Sequence, residues 1–287
     1  MACQINKISN PAIYAYGIKL LCFDLDGTLI NSSGVMSEAT IKAINRVREK
    51  YALKVVLASG RPLFAADKYV DLIGATGASM FFSGALVVDV ATRIAALEDH
   101  LLQERVKEII TFCRENSLTV EIYTGEEFFV DKVSSLTRVH IDDYLHVEPQ
   151  VMDLLHLAQR EKFLKVVIMT EQGTPGDELT KDFCLDLDDV TVSSAHGAKH
   201  PEIVFYNITS AYASRAQALD TLADQHRVHP KAMMSFGDAP ADETFLKLCG
   251  VGVAMGNAAQ SVQAAANLLT SSVEEDGVAE ALNLIFP

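Results

Sequence analysis

Short apolar runs alternate along the chain with segments whose apolar residues recur at helical spacing. A buried strand is predicted for the run LLCFD, residues Leu20–Asp24. Ser37 can cap the helix that follows, in which Ile41, Ile44 and Val47 recur every three or four positions. Another buried strand is predicted for KVVLASG. This β-α-β order predicts an α/β fold, in which helices cover both faces of a parallel sheet.

The same order returns near the C-terminal end. Strands are predicted for Ala232–Asp238 and for VGVAMGN, with a helix over 241–248 between them. Two more helical patterns follow in NAAQSVQAAANLL and DGVAEALNLIF. Residues 1–84 and 198–287 are therefore expected to form one discontinuous core with a doubly wound sheet.

The middle of the chain has a different pattern, and residues 85–197 are interpreted as an inserted α+β domain. An amphipathic helix is predicted around Leu102–Cys113, and LTVEIY and EFFVD resemble antiparallel neighbours around the turn TGE. A helix around 151–158, a strand at LKVVIM, a helix after Pro175 and a strand at VTVSS complete it. The turn-rich SSAHGAKHPE is expected to be the linker that returns to the core.

Composition narrows the choice of partners and of compartment. With 287 residues, 49% hydrophobic and 22% charged, the chain is typical of a soluble protein with one large or two ordinary domains. It has no run near the roughly 18 apolar residues of a membrane span, and no secretory signal is apparent. The net charge of −14 argues against nucleic-acid binding but allows a small anionic substrate. Five scattered cysteines without metal-binding spacing favour a reducing cytoplasm.

Polar residues follow three of the predicted strands at the point where each strand ends. Asp24 ends LLCFD, Ser59 follows KVVLA, and Asp238 follows MMSFG. In a doubly wound sheet, the carboxyl ends of the strands form the ligand crevice. We therefore expect these three side chains to converge, although they are far apart in the sequence.

Two aspartates close the first strand with one leucine between them. If the backbone stays extended, the side chains of Asp24 and Asp26 project to one side while Leu25 packs away. Gly27 lets the chain turn sharply, and Thr28 can satisfy nearby backbone groups. Such a pair suits a covalent mechanism in which one carboxylate attacks and the other transfers protons. A hard divalent cation would offset the clustered negative charge.

The same residue pattern has two simpler interpretations. Asp-x-Asp-Gly also begins calcium-binding loops, but such a loop needs glycine at its sixth position, where this chain has Leu29. The calcium-loop interpretation therefore fails. A plain turn stabilised by the aspartate side chains stays open.

The chain resembles the haloacid dehalogenase (HAD) superfamily, whose phosphatases carry four spaced motifs. In order, the matching segments are DLDGTL, SGRP (Ser59–Pro62), SRAQAL (Ser214–Leu219) and GDAPAD (Gly237–Asp242). The tail of the Cof-like branch is similar to GVAMGNA and TSSVEEDGVAEAL. That branch carries a large α/β cap between its second and third motifs, where the inserted domain lies. The resemblance implies a Rossmann-like catalytic core and a cap domain that selects the substrate.

The resemblance also implies a role for each acidic residue of the motifs. Asp24 would be the nucleophile that forms an aspartyl-phosphate, and Asp26 would be the acid and base. The side chains of Asp24 and Asp238 and the backbone carbonyl of Asp26 would bind Mg²⁺. Asp242 would coordinate the ion or orient its ligands. The second aspartate, Asp26, favours phosphoryl transfer over the dehalogenase chemistry of the superfamily, which does not use it.

The phosphoryl group would be held by Ser59 and by the backbone amides of Leu25 and Gly60. Arg215 stands where the family has lysine, and its larger planar guanidinium would still hold the phosphate. Two further positions differ from the family: Ala241 replaces an expected asparagine, and Ser83–Ala85 replaces Asn-Gly-Ala.

These features predict a Mg²⁺-dependent phosphatase that hydrolyses small phosphorylated metabolites. Sugar phosphates and phosphorylated cofactors such as pyridoxal phosphate are the substrate classes that the resemblance implies. Two alternatives stay open: a phosphomutase with the same intermediate, and a catalytically eroded protein that only binds such metabolites. We expect a cytoplasmic monomer or small homo-oligomer with no nucleic-acid or membrane partner.

Overall fold

The computed structural model describes residues 3–197 and 199–287. These residues form two compact units. The first unit contains residues 3–61, 66–97 and 215–287. The second unit contains residues 62–65, 98–197 and 199–214.

The regular elements of the described residues are fifteen strands and ten α-helices. In chain order the strands are β1 (Cys3–Gln4), β2 (Leu20–Phe23), β3 (Lys54–Leu57), β4 (Ala78–Phe81), β5 (Leu86–Asp89), β6 (Ala95–Glu98), β7 (Thr119–Tyr123), β8 (Phe128–Val130), β9 (Gln150–Val151), β10 (Lys165–Glu171), β11 (Val190–His196), β12 (Ile203–Ser210), β13 (Met233–Gly237), β14 (Val251–Ala254) and β15 (Leu268–Leu269). The helices are α1 (Glu38–Tyr51), α2 (Leu63–Ile73), α3 (Gln103–Glu115), α4 (Ser135–His140), α5 (Leu154–Leu157), α6 (Pro175–Leu185), α7 (Arg215–His226), α8 (Glu243–Leu248), α9 (Gln260–Ala265) and α10 (Gly277–Ile285).

The first unit is built on a six-stranded sheet with the order β1-β15-β14-β13-β2-β3. Every neighbouring pair in this sheet is parallel. All residues of β2, β13 and β14 are buried, which explains why these strands contain only one polar residue, Ser235 of β13. The predicted α/β fold class is confirmed. Because β13, β2 and β3 are parallel neighbours, their carboxyl ends lie side by side.

Helix α1 forms where the sequence predicts it. The Oγ of Ser37 accepts a hydrogen bond from the Thr40 amide at 3.0 Å and so caps the first turn. Ile44 and Val47, on its predicted apolar face, are fully buried. The helix ends at Tyr51, and the next residue, Ala52, adopts the left-handed conformation that closes it.

A three-stranded sheet, β4-β5-β6, follows the core strands β1, β2 and β3 along the chain. β4 and β5 are antiparallel, and Met80 of β4 bridges Ala58, the residue directly after β3. This attachment explains why residues 85–97 lie in the first unit, whereas the sequence interpretation begins the insertion at residue 85. The role of the insertion in substrate selection stays a prediction.

The second unit contains a six-stranded sheet with the order β11-β12-β10-β7-β8-β9. Its pairs are antiparallel except β8 with β9. β7 and β8 form the predicted antiparallel pair, with Ile122 opposite Phe129. Helix α3 buries most of its predicted stripe, but Leu102 is the exposed residue that precedes its first turn. The buried members of the stripe are Val106, Ile109, Ile110 and Cys113.

Strand β12 has no counterpart among the predicted elements. Seven of its eight residues are buried, so it lacks the alternation of polar and apolar residues that marks a half-exposed strand. The predicted linker, residues 193–202, is shorter than expected because Ser193–His196 belong to β11. Residue 198 of that linker lies outside the described residues. Strand β12 also explains why residues 199–214 lie in the second unit.

The helix predicted around 151–158 is only the single turn α5. Gln150 and Val151 instead form β9, which pairs with β8. Asp153 ends the extended segment because its carboxylate accepts hydrogen bonds from the amides of Leu155 and His156. The apolar spacing in this region therefore belongs to a short extended segment followed by a single helical turn.

Asp177 is a fully buried carboxylate near the start of α6 in the second unit. Its partners are the Lys181 ammonium at 2.8 Å, the Tyr206 hydroxyl at 2.5 Å, the Gly173 amide at 2.9 Å and the Thr170 hydroxyl at 3.1 Å. Burial alone would raise the pKa of Asp177, but these hydrogen bonds outweigh it and hold the pKa well below its usual range.

We expect Asp177→Ala to destabilise the protein by about 3 kcal/mol, because it leaves the buried Tyr206 and Thr170 hydroxyls without their acceptor. A depressed carboxylate pKa stabilises the fold above the unfolded-state value of about 4, and this contribution fades as the pH falls further. Urea unfolding between pH 7 and pH 3 measures both effects. Asp182→Ala, on an exposed residue of the same helix, is the control. Equal stability of the two variants at pH 7 would contradict this account.

The longest α-helix in the described part of the chain, α1, has 14 residues. Within residues 3–197 and 199–287, no helix combines the length and the hydrophobicity needed to span a bilayer. All five cysteines of the chain are free thiols in the structure.

Candidate active site

The predicted polar residues lie at neighbouring strand ends of the first unit. Asp24 directly follows β2, Ser59 comes two residues after β3, and Asp238 directly follows β13. The Asp24 amide donates to the carbonyl of Phe236 on β13 at 3.0 Å, which ties the first two strand ends together. One carboxylate oxygen from each of Asp24, Asp238 and Asp242 lies within 4.8 Å of the other two. The structure therefore gathers three of the four predicted aspartates into one cluster.

Asp24 is a buried carboxylate with other carboxylates as neighbours. Its side chain is buried at the end of β2. Burial raises the pKa of Asp24 well above its usual value, and repulsion by Asp242 and Asp238 raises it further. The Arg215 guanidinium lowers this pKa but does not reverse the shift. An additional positive charge would therefore stabilise the ionised form of Asp24.

Asp238 is held by side chains from two other segments of the first unit. Its Oδ1 accepts a hydrogen bond from the Thr28 hydroxyl at 2.9 Å, and its Oδ2 accepts one from the Asn257 amide nitrogen at 3.2 Å. The same Asn257 nitrogen donates to the Gly27 carbonyl at 2.9 Å. Burial raises the pKa of Asp238 to about 7, and the Thr28 hydrogen bond only partly opposes this shift.

Asp242 has partners on both of its carboxylate oxygens. Oδ2 accepts hydrogen bonds from the amides of Asp238 at 2.9 Å and Ala239 at 2.8 Å. Oδ1 accepts one from Nη1 of Arg215 at 2.5 Å. Burial raises the pKa of Asp242, whereas Arg215 and the two amides oppose the shift. These contacts suit a residue that holds Asp238 and Arg215 in place.

Arg215 lies beside the cluster with 8% of its side chain exposed. Its guanidinium carbon is 5.2 Å from the ring centre of Phe245, which supports the planar group from one side. The Nε atom is buried and has no hydrogen-bond partner among the described residues. A buried donor without a partner is costly, so this N–H suits an anionic ligand.

Asp26, the fourth predicted aspartate, lies outside the cluster of three carboxylates. Its side chain is 51% exposed and forms a two-point ion pair with Arg61. The nitrogen-to-oxygen distances are 2.8 Å from Nε to Oδ2 and 2.6 Å from Nη2 to Oδ1. The structure therefore separates the two aspartates by environment, since Asp24 is buried among like charges and Asp26 is paired.

Apart from Arg215, the residues predicted to hold the phosphoryl group lie in the segments directly after β2 and β3. The Leu25 carbonyl accepts the amides of Leu29 and Ile30, both at 2.9 Å, which closes the turn after β2. The buried Ser59 accepts the Arg61 amide on Oγ at 3.1 Å. Because that oxygen acts as an acceptor, the hydroxyl proton can be donated to a ligand. Gly60 lies between Ser59 and Arg61 in the chain.

The two other positions that differ from the family pattern have distinct surroundings. Ala241 is exposed at the start of the segment that leads into α8. Ser83 lies in a turn with a positive φ of 56°, next to Phe82 at 51°. A Cβ atom on Gly60 would lie 3.2 Å from the Ser83 hydroxyl oxygen, so this turn packs closely on the segment after β3.

Sequence reasoning missed two side chains of the site, Arg61 and Asn257, and it assigned Thr28 only to local backbone contacts. Asn257 comes three residues after the buried strand β14, so its place near a strand end was an available signal. Arg61 stands two residues after Ser59, within the SGRP segment. Its pairing with Asp26 is a tertiary contact for which the sequence holds no spacing signal.

Gly27 allows the Asp24–Thr28 turn to approach Asp238. Its φ is +82°, and a Cβ atom at this position would overlap the Asp238 carboxylate. We expect Gly27→Ala to lower the activity of this site about 100-fold, because it displaces Asp238 from its partners.

The matched control for this substitution is Gly17→Ala. Gly17 has a similar φ of +78°, but a Cβ atom there meets no heavy atom within 4 Å. Gly17→Ala therefore carries the cost of the left-handed backbone alone, about 1 kcal/mol. Steady-state rates and melting temperatures of both variants separate the overlap from the backbone strain. Equal rates for the two variants would show that the close approach to Asp238 is unimportant.

Residues 21–282 match the sequence profile of the haloacid dehalogenase-like hydrolases. The chain belongs to this family. The predicted family, with its Cof-like phosphatase branch, is confirmed.

Relatives of this haloacid dehalogenase-like hydrolase match it over almost the whole chain. The phosphatase YwpJ of Bacillus subtilis (strain 168) is 25% identical, over 91% of this chain and 98% of its own length. The 5-amino-6-(5-phospho-D-ribitylamino)uracil phosphatase YitU of the same organism is also 25% identical, over 93% and 97%. The crystal structure of a haloacid dehalogenase-like hydrolase from Bacteroides thetaiotaomicron is 25% identical with a TM-score of 0.83, over 94% of this chain and 100% of that chain. The predicted enzyme class, a phosphatase of this superfamily, is confirmed.

Proposed function

We propose that this phosphatase is Mg²⁺-dependent and hydrolyses small phosphorylated metabolites through an aspartyl-phosphate on Asp24. The observation that carries the proposal is the cluster of Asp24, Asp238 and Asp242, whose oxygens lie within 4.8 Å of one another. Arg215 is the cation that contacts this cluster directly, through Asp242. The unpartnered Nε of Arg215 supports an anionic substrate at the same place.

The donor set fits Mg²⁺ because it offers carboxylate oxygens in a buried, negatively charged setting. Asp24 and Asp238 would hold the ion with their side chains, together with the backbone carbonyl of Asp26. Asp242 would orient these ligands, since both of its oxygens already accept hydrogen bonds from the protein. When bound, Mg²⁺ would offset the negative charge of the carboxylates and of the phosphoryl group.

The reaction would proceed in two displacements at phosphorus. In the first, a carboxylate oxygen of Asp24 forms a bond to phosphorus as the ester oxygen leaves, and protonated Asp26 donates its proton to that oxygen. In the second, Asp26 removes a proton from water as the water oxygen attacks phosphorus. The Asp24–phosphorus bond then breaks and releases inorganic phosphate.

The phosphoryl oxygens would be held by donors that surround the nucleophile. These are the Ser59 hydroxyl, the amides of Leu25 and Gly60, and the guanidinium of Arg215. Arg215 keeps the positive charge that the family's lysine supplies, and it reaches the cluster through Asp242. The arrangement therefore favours an active enzyme over an eroded binding protein.

The substrate class that this proposal names is a small phosphomonoester. Sugar phosphates and phosphorylated cofactors are the candidate classes, and 5-amino-6-(5-phospho-D-ribitylamino)uracil joins them because the relative YitU is named a phosphatase of that compound. The free thiols support a reducing compartment such as the cytoplasm.

A phosphate-release screen over such esters, with Mg²⁺ and with a chelator, tests the proposal. We expect release of inorganic phosphate with Mg²⁺ and a loss of at least about 100-fold in the chelator. An isomerised phosphosugar formed without free phosphate would instead identify a phosphomutase. Tight binding without turnover across the whole panel would identify a binding protein.

A further inference from the structure

The ion pair between Arg61 and Asp26 joins a nearly buried arginine to a half-exposed aspartate. The Arg61 side chain is only 10% exposed, whereas that of Asp26 is 51% exposed. The guanidinium is therefore the fixed partner, and the carboxylate is the one that would otherwise move freely in solvent. The two nitrogen-to-oxygen contacts, at 2.8 and 2.6 Å, restrict both oxygens of that carboxylate.

The backbone of Arg61 is itself held by the segment that carries the predicted phosphate ligands. Its amide donates to Ser59 Oγ at 3.1 Å, and its carbonyl accepts the Phe82 amide at 3.2 Å. The Ser83 amide donates to the Ser59 carbonyl at 3.1 Å. Phe82 and Ser83 both have positive φ values, so a strained turn is used to hold residues 59–61.

The backbone on the Asp26 side is equally restrained. Asp26 forms a bridge with Ile30, and the Gly27 amide donates to the Ile30 carbonyl at 2.9 Å. Both ends of the ion pair are thus fixed to the first unit. The remaining freedom of Asp26 is rotation of its own side chain, and the two-point contact with Arg61 removes it.

We propose that Arg61 is a positioning residue that holds the Asp26 carboxylate in the orientation needed for proton transfer. The inference rests on the proposed function, in which Asp26 protonates the leaving group. Each carboxylate oxygen has two lone-pair directions, and the contact with Arg61 uses one on each. The other direction on either oxygen is free to carry the proton that Asp26 gives to the leaving-group oxygen and later takes from water. A general acid must lie within hydrogen-bond reach of the atom that it protonates, so its orientation sets the rate.

The dependence of the rate on the leaving group separates this role from simple stabilisation of the fold. An alkoxide needs a proton as it leaves, whereas a nitrophenolate leaves readily without one. We expect Arg61→Met to lower kcat for an alkyl phosphate about 100-fold and kcat for p-nitrophenyl phosphate less than about threefold. KM should change little for either ester, because Arg61 is not proposed to bind the phosphoryl group.

Asp26→Asn and the double variant complete the test. If Arg61 acts through Asp26, Asp26→Asn shows the same selectivity against the alkyl ester, and adding Arg61→Met lowers its rate no further. Arg61→Lys keeps the charge but not the two-point geometry, so we expect it to restore only part of the alkyl-ester rate. Arg93→Met removes another arginine–aspartate pair of the first unit, with Asp67, and should leave both rates unchanged.

The outcomes distinguish the inference from the function on which it rests. Equal losses on both esters with Arg61→Met, or full additivity with Asp26→Asn, would overturn the positioning role while leaving the phosphatase proposal intact. Failure of the unmodified protein to release phosphate from either ester with Mg²⁺ would overturn the proposed function itself. Melting temperatures of Arg61→Met and Arg61→Lys identify any loss of activity that comes from unfolding. If Arg61→Met is unfolded, the two rates are compared in Arg61→Lys instead.

Discussion

We expect Asp24→Asn to lower Mg²⁺-dependent phosphate release by at least about 1,000-fold, because an amide cannot form the covalent bond to phosphorus that the proposed mechanism requires. We expect the same change to have the opposite effect on the stability of the fold. Asp24 is buried beside Asp242 and Asp238, and its ionised form is repelled by both. A neutral amide removes this repulsion, so we expect the melting temperature in a chelator to equal or exceed that of the unmodified protein.

Two measurements on one preparation check this prediction. Phosphate release reports the nucleophile, and thermal unfolding in a chelator reports the relief of repulsion. Asp220→Asn makes the same chemical change on an exposed residue of α7 and should alter neither quantity. Turnover by Asp24→Asn within tenfold of the unmodified rate would refute the nucleophile assignment. A lost activity with a much lower melting temperature would show that Asp24 serves the fold.

The second large effect concerns the affinity for Mg²⁺. We expect Asp238→Asn to weaken Mg²⁺ binding more than about 100-fold, because it removes the charge of a proposed direct ligand. Thr28→Val keeps the shape of Thr28 but removes the hydroxyl that donates to Asp238 Oδ1 at 2.9 Å. A supporting contact of this kind contributes about 10- to 100-fold to metal affinity. We therefore expect Asp238→Asn to weaken Mg²⁺ binding more than Thr28→Val does.

Isothermal titration of the protein with MgCl₂ measures this order without relying on turnover. The rise of the melting temperature with added Mg²⁺ is the second readout, since a ligand that binds only the folded state stabilises it. Asp220→Asn again serves as the exposed control. Unchanged Mg²⁺ affinity in Asp238→Asn would place the ion elsewhere or exclude it from this cluster.

Several regular elements of the first unit follow from local sequence patterns. Strands β2, β3, β13 and β14 and helix α1 form where the apolar runs and the Ser37 cap predict them. The strands are predictable because nearly all of their residues are buried and apolar; the exceptions are the exposed Lys54 of β3 and the buried Ser235 of β13. Strand β12 lacks so clear a signal, because Asn207, Thr209 and Ser210 interrupt its apolar run although seven of its eight residues are buried between antiparallel partners. The spacing of apolar residues alone does not indicate which sheet a buried strand will join.

Only those residues of the candidate site that lie at strand ends or in family motifs are predictable from the sequence. Asp24, Ser59 and Asp238 were expected to converge from their place after buried strands. The partners that hold them were not, because those contacts join distant segments. Arg61 and Asp26 are 35 positions apart, and Thr28 and Asp238 are 210 positions apart. No local period relates residues at such separations.

By itself, the sequence determined the alternation of strands and helices in the core, the family, and the set of acidic residues at strand ends. These properties depend on short-range periodicity and on motif order, which the chain carries locally. Only the tertiary structure decided that Asp24 shares a buried cluster with Asp238 and Asp242 while Asp26 is paired with Arg61. The physical reason is that strand order places these ends side by side, and strand order follows from packing of the whole unit.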